Sequence, residues 1–222
     1  MKMNKSRRDF IGKSVIAGVG LSLIDPLMVS AFAKKSKMKL GLVTYQWGKD
    51  WDLPTLIANC EKTGLLGVEL RTEHAHGVET SLSASQRAEV KKRFADSPVK
   101  CLGYGSNFDY HHADQARVRK NIEGTKQYLQ LCKDIGSTGI KVKPNGFPDG
   151  VAKEKTIAQI AASFNECGKY AADLGLVVRV EVHGEGTQEL PNMKAIFEQV
   201  TEKSVKMCWN CNDQGWKRTS IL

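Results

Sequence analysis

The sequence lacks the features that mark membrane-spanning, nucleic-acid-binding and dinucleotide-binding proteins. Its longest apolar run, residues 15–30, contains Asp25 and Pro26 and is too short to span a bilayer, and no later segment is longer. The net charge is +9, but no run of basic residues alternates with aromatic ones, so we predict no nucleic-acid partner. No G-x-G-x-x-G motif follows the first predicted strand, which argues against a dinucleotide site.

The first 33 residues are typical of an export signal. Arg7 and Arg8 precede Phe10 and the apolar run, and a small-x-small cleavage pattern follows at residues 31–33. We predict a twin-arginine-type signal peptide over residues 1–33 and a periplasmic or extracellular location. We expect a folded domain over residues 34–214 and an aberrant short tail over 215–222.

The cysteines give no strong signal for a metal or redox site. Cys60, Cys132 and Cys167 fall on apolar positions of predicted helices, so we expect them to act as small core hydrophobes. Cys208 and Cys211 form a single C-x-x-C motif, and the sequence has no second pair that would complete a zinc site.

Apolar strands and amphipathic helices alternate along the chain. The predicted strands cover residues 39–45, 67–72, 99–105, 139–144, 176–183 and 205–212, and the predicted helices cover 53–64, 83–95, 113–134, 152–174 and 192–202. This alternation is typical of parallel strands joined by crossover helices. It leaves two architectures open, an open doubly wound sheet and a closed barrel.

Three predicted strands place apolar side chains on one face and polar ones on the other. The polar faces carry Glu69 and Arg71; Lys141, Lys143 and Asn145; and Arg179, Glu181 and His183. Strands of an open sheet are covered on both faces and are apolar throughout, whereas barrel strands can direct a polar face to the interior. We therefore predict an α/β fold, a parallel (β/α) TIM barrel that is incomplete, with about six of its eight units.

Glu181 is the strongest candidate for chemistry, because a carboxylate at the end of a buried strand must be paired, protonated or metal-bound. The alternative to a chemical role is a structural one, in which Arg179 on the same face pairs with Glu181. The next strand ends near Asn210 and Asp213, so oxygen ligands of adjacent strands would lie together. Such a set suits Mn²⁺ or Mg²⁺.

Other polar side chains follow the ends of the predicted strands and could contact a ligand. Tyr45 could form an aromatic wall for a sugar ring, and Lys143 with Asn145 could hold a hydroxyl or phosphate group. His111 and His112 are expected to face solvent. The full set of predicted substrate-contacting residues is Tyr45, Glu69, Arg71, His76, Lys143, Asn145, His183 and Asp213.

The segments GVELRTEHAHG, GIKVKPNG, VVRVEVHGEG and MCWNCND resemble the xylose isomerase-like TIM-barrel superfamily of sugar phosphate isomerases and epimerases, over about residues 38–213. The resemblance implies metal-assisted proton transfer beside a sugar carbonyl. It implies that Glu181 is the metal-binding acid/base at the end of strand five. Asn210 stands where the family has an aspartate ligand, and Asp213 stands where it often has a substrate-facing histidine.

The family's remaining ligands and its second catalytic carboxylate lie on strands seven and eight, which have no counterpart in this sequence. The resemblance therefore leaves two interpretations open, a sugar isomerase or epimerase and a truncated, inactive copy of one. Two alternatives remain open: a non-catalytic exported sugar-binding protein, and an endonuclease IV-like phosphodiesterase, which the scarcity of histidines disfavours. The expected partner is a sugar or sugar phosphate, with a possible homo-oligomer.

Overall fold

The structure is a computed structural model, and it describes residues 38–210. The predicted signal peptide, the predicted tail, Cys211 and Asp213 lie outside the described residues. Export therefore stays a prediction.

Six strands and five helices alternate along the described residues. In chain order they are β1 (Gly41–Val43), α1 (Leu53–Thr63), β2 (Gly67–Arg71), α2 (Ala84–Ala95), β3 (Lys100–Asp109), α3 (Gln115–Asp134), β4 (Gly139–Lys143), α4 (Lys153–Asp173), β5 (Val177–Glu181), α5 (Leu190–Phe197) and β6 (Val205–Cys208). The six strands form one sheet in the order β1 to β6. Every neighbouring pair is parallel.

This sheet confirms the predicted fold class, an incomplete α/β TIM barrel. A parallel sheet in which each strand pairs with its sequence neighbours is the arrangement of barrel strands joined by helical crossovers. The register aligns Lys141 of β4 with Arg179 of β5, and Glu181 with Cys208 of β6. Because side chains at aligned positions share a face, the charged residues of neighbouring strands lie on the same side of the sheet.

The core lies between the sheet and its helices. The valines, leucine and isoleucine that alternate with charged residues on β2, β4 and β5 are fully buried: Val68, Leu70, Ile140, Val142, Val178 and Val180. They belong to one cluster with Ile160 and Phe164 of α4. Each fully buried aliphatic or aromatic side chain contributes about 1.5–3 kcal/mol. This burial fixes which face of each strand is polar.

Helix boundaries follow local sequence signals in most cases. At α2, the Ser83 side chain accepts from the backbone of Gln86, and the Gln86 side chain accepts from the backbone of Ser83, so the predicted cap is confirmed as a capping box. The predicted cap of the last helix, Asn192, is wrong. The helix begins at Leu190, and Asn192 is buried inside its first turn, where it donates to the Gly186 carbonyl at 2.7 Å.

Strand β3 is longer than predicted and its pairing is irregular. Its register shifts against β2 between Val68 and Glu69, and against β4 beyond Gly105. A β-carbon at Gly105 would lie 2.6 Å from Glu69 Oε1 and 2.9 Å from Arg71 Cδ. The glycine therefore leaves the space that two polar side chains of β2 occupy.

Burial confirms the structural role predicted for three cysteines. Cys60, Cys132 and Cys167 are free and buried, as predicted for core positions. Among the described residues, no helix combines the length and apolarity needed to span a membrane.

Candidate functional site

A charged layer crosses the polar face of the sheet at the level of Glu69, Lys141 and Glu181. The Lys141 ammonium lies 2.8 Å from Glu69 Oε1 and 3.5 Å from Glu181 Oε2. All three side chains are between 13% and 18% exposed, so the ion pairs are largely screened from water. Burial alone would lower the pKa of Lys141, but the two carboxylates, Glu69 foremost, raise it above the ordinary value.

Glu181 is not paired with Arg179, in contrast to the structural alternative drawn from the sequence. Arg179 Nη2 donates to Thr138 Oγ1 at 2.5 Å, one layer nearer the amino ends of the strands. Glu181 Oε1 instead accepts from Asn210 Nδ2 at 2.8 Å. The structure therefore places the two predicted metal ligands, Glu181 and Asn210, in direct contact.

The next layer, at the carboxyl ends of the strands, gathers two cations around a neutral amide. Arg71 Nη2 donates to Asn107 Oδ1 at 2.8 Å, and Lys143 Nζ lies 3.5 Å from the same oxygen. The Arg71 guanidinium carbon lies 5.2 Å from the centre of the Tyr45 ring, within the range of a cation–π contact. Tyr45 itself is more than half exposed. The structure thus brings three predicted site residues together and adds Asn107.

A chain of hydrogen bonds runs from β5 to the end of β3. His183 Nδ1 lies 2.9 Å from Asn145 Oδ1, Asn145 Nδ2 donates to Asp109 Oδ2 at 2.8 Å, and Asp109 Oδ1 lies 2.5 Å from His112 Nε2. Because Asn145 uses its amide hydrogens on Asp109, its oxygen must accept from His183. This leaves His183 Nε2 with a free lone pair. Burial, and then the Lys143 cation, hold the pKa of His183 below its ordinary value, so the ring is neutral at neutral pH.

His111 and His112 do not face solvent, so that expectation is wrong. Their side chains are 17% and 13% exposed, and both lie against Asp109, which is 8% exposed. His111 Nδ1 is buried, has no hydrogen-bond partner and lies 3.9 Å from Asp109 Oδ2. A cation between this nitrogen and the carboxylate would satisfy both groups.

Two sets of side chains at the strand ends differ in how well they suit a divalent metal ion. Asp109, His111 and His112 each offer a ligand atom, and these atoms lie within 4.8 Å of one another. At Glu181 the fit is poorer, because Lys141 faces one carboxylate oxygen and the Asn210 amide nitrogen faces the other. Within residues 38–210, the Asp109 triad is therefore the better candidate metal site. Its two imidazoles and one carboxylate match zinc and manganese better than magnesium.

His76 lies apart from these groups, and its polar atoms are already used. The side chain is buried, Nδ1 accepts from the Val78 backbone, and Nε2 lies 2.8 Å from the Arg71 carbonyl. This geometry supports a structural role in the loop after β2 instead of the predicted contact with substrate. Burial lowers the pKa of His76 to about 4.

Replacement of His76 with glutamine is expected to change how stability depends on pH. The pKa of His76 in the folded state, about 4, lies below the ordinary value of 6.5. The native protein therefore loses stability as pH falls from 6.5 toward 4. The loss attributable to His76 approaches roughly 3 kcal/mol near pH 4. The gap in unfolding free energy between the native protein and His76→Gln should therefore narrow from pH 7 to pH 4 in urea titrations. A gap independent of pH would contradict this account of His76.

One open groove lies elsewhere, between α3 and α4. It is lined by Gln115, Arg119, Gln159, Glu166 and neighbouring small or apolar residues. Arg119 and Lys126 pair with Glu166 there, so its charges are already neutralised. None of its lining residues comes from a strand end, and we assign it no role in the chemistry.

The sequence matches a family model described as xylose isomerase-like TIM barrel, over residues 57–213. No curated protein matches the sequence.

Solved structures share the fold at low sequence identity. The IOLI protein with a bound zinc atom matches with a TM-score of 0.65 and 19% identity, over 77% of this chain and 62% of that chain. The 3-keto-D-glucoside 4-epimerase YcjR from E. coli matches with a TM-score of 0.64 and 15% identity, over 78% of this chain and 68% of that chain. D-psicose 3-epimerase in the presence of D-fructose matches with a TM-score of 0.62 and 18% identity, over 78% of this chain and 63% of that chain. At these identities the likeness shows the fold alone.

Proposed function

Because this chain belongs to the xylose isomerase-like TIM-barrel family, we propose that it binds a small sugar at the carboxyl ends of its strands and moves a proton beside the sugar carbonyl. This reaction would make it a sugar isomerase or epimerase. The observation that carries the proposal is the position of Glu181, a largely buried carboxylate beside the Lys141 ammonium. The epimerases among the similar structures support the same class of reaction.

The roles follow from the geometry of three side chains. Glu181 would remove the proton from the carbon beside the carbonyl group as a general base, and the carboxylic acid so formed would return it to a carbon of the enediolate. The Lys141 ammonium, 3.5 Å from Glu181 Oε2, would stabilise the negative charge that develops on the substrate oxygen. His183 would accept a hydroxyl proton at Nε2, the ring nitrogen that Asn145 leaves free.

We also propose that Asp109, His111 and His112 bind a divalent metal ion. The buried and unpartnered Nδ1 of His111, which faces Asp109, supports this assignment. A bound ion would supply a Lewis acid at the strand ends. It would also displace the direct contact between His112 and Asp109.

A non-catalytic sugar-binding function is the second candidate, and one observation favours it. Glu181 already accepts a hydrogen bond from Asn210 and faces a cation at its other oxygen. These contacts occupy both carboxylate oxygens, one of which a general base needs in order to reach a substrate proton. The two candidates share a sugar ligand and differ in whether a carbon-bound proton is exchanged.

The test is solvent exchange in D₂O with the full-length protein. A panel of ketoses and aldoses, with and without phosphate, is followed by proton NMR for loss of the signal beside the carbonyl group. The protein is first treated with EDTA, and Mn²⁺, Zn²⁺ or Mg²⁺ is then restored. We expect exchange that falls on EDTA treatment and returns with Mn²⁺ or Zn²⁺. Saturable binding without exchange would favour the sugar-binding protein, and neither binding nor exchange would contradict both.

A further inference from the structure

Arg71 and Lys143 occupy the last inward-facing positions of β2 and β4, and they converge on Asn107 of β3. The two cations share one uncharged acceptor, the Asn107 side-chain oxygen, at 2.8 and 3.5 Å. Cations at a strand end are ordinarily separated or matched by carboxylates, because like charges repel most strongly away from water. Here two positive charges are brought together instead.

No carboxylate neutralises either cation within residues 38–210. The nearby acids are used elsewhere: Glu69 and Glu181 pair with Lys141, and Asp109 is bonded to Asn145 and His112. In addition, Arg71 Nε is buried and has no hydrogen-bond partner. An unsatisfied buried donor costs about 1–3 kcal/mol. A group that accepts from it would recover that energy.

The electrostatic balance around Lys143 agrees with this geometry. Burial, and then the Arg71 and Lys141 cations, lower the pKa of Lys143, against the opposing effect of Glu181 and Asp109. The same cation helps to lower the pKa of His183. The strand ends therefore carry positive charge that the described residues leave uncompensated.

We propose that Arg71, Lys143 and Asn107 form an anion subsite that binds the phosphate or carboxylate group of an anionic sugar. An arginine presents its N–H groups in a planar fork that matches both oxyanions, whereas a lysine adds a point charge. The Tyr45 ring centre, 5.2 Å from the guanidinium carbon, adds a cation–π contact that favours this position of Arg71. Asn107, already bonded to Arg71, fixes the direction of the fork.

This assignment makes an anionic sugar the substrate class of the proposed function. It rests on the proposed function only in treating the anion as part of the substrate. Anion binding itself can be measured without turnover. Glu181 would then act on a carbon whose distance from the anionic group is set by the separation of the two layers. A neutral sugar would bind more weakly, because it leaves both cations without a counter-charge and Arg71 Nε without an acceptor.

The test is calorimetric titration of the full-length protein with inorganic phosphate and, separately, with gluconate, at physiological ionic strength. Lys143→Gln and Arg71→Gln are each expected to weaken binding at least tenfold, and Lys143→Arg is expected to keep it. Lys206→Gln, at an exposed lysine of β6, is the control and should bind as the native protein does. Thermal unfolding of each variant separates lost binding from lost folding.

The outcomes distinguish the ligand and separate this proposal from the proposed function. Binding of phosphate alone identifies a phosphate ester, and binding of gluconate alone identifies a sugar acid; either supports the subsite. Equal binding by the native protein and Lys143→Gln, or equal weakening by Lys206→Gln, would overturn it. Anion binding without proton exchange would keep the subsite and reject the enzyme, whereas exchange on neutral sugars without anion binding would do the reverse.

Discussion

Replacing Glu181 with glutamine is expected to slow solvent-proton exchange into a bound sugar by roughly 10²–10⁴-fold, the usual contribution of a general base. Glutamine keeps the shape of the side chain, and its oxygen can still accept from Asn210, so the change removes basicity more than structure. Lys141 also keeps its closer partner, Glu69, at 2.8 Å. The measurement is the initial rate of deuterium incorporation, by proton NMR, for the variant and the native protein.

Glu198→Gln is the matched control for this experiment. Glu198 is exposed, lies at the end of α5 and, within residues 38–210, pairs with Lys194 alone, at 3.5 Å. Its replacement should leave the exchange rate unchanged. A Glu181→Gln protein that exchanges protons at the native rate would show that another group is the base.

Replacing Lys141 with methionine is expected to destabilise the folded protein by roughly 3–5 kcal/mol at pH 7. The change leaves Glu69 and Glu181, both largely buried, facing each other without the cation between them. Methionine fills most of the volume of the lysine stem, so the cost is electrostatic more than a packing defect. Urea titration with circular dichroism would measure the unfolding free energy.

The ion pairs of Lys141 should also make stability depend on pH, and further substitutions should restore the stability that Lys141→Met loses. Because the pKa of Lys141 is raised in the folded state, its contribution is fully present below the ordinary value of 10.5 and is lost as pH rises through the folded value. Adding Glu69→Gln and Glu181→Gln to Lys141→Met should restore most of the stability at pH 7. Lys194→Met, at an exposed ion pair, should change it by less than about 0.5 kcal/mol. If the triple variant is as unstable as the single one, the loss is one of packing.

The alternation of apolar and charged residues was sufficient to predict the fold and the polar face. Strands β2, β4 and β5 keep a strict period of two, so burial of Val68, Ile140 and Val178 fixes the direction of their charged neighbours. The site residues on these three strands were found for that reason. The alternation places Lys141 on the same face, yet its central position between two carboxylates depends on the alignment of three strands.

The residues that sequence reasoning missed or misplaced lie where that periodicity ends. Strand β3 contains glycines and a shifted register, so the direction of Asn107 and Asp109 could not be derived from alternation. His111 and His112 follow in a loop, where no period applies, and their burial depends on tertiary contacts with Asp109. His76 lies in the loop after β2, and its two backbone hydrogen bonds carry no sequence signal.

The most direct test of the account is a crystal structure of the full-length protein with a ketose phosphate. We predict density for the phosphate group against Arg71 and Lys143, and the carbon beside the carbonyl group within contact distance of Glu181. Ligand density confined to the groove between α3 and α4, or a phosphate group bound away from Arg71 and Lys143, would contradict it.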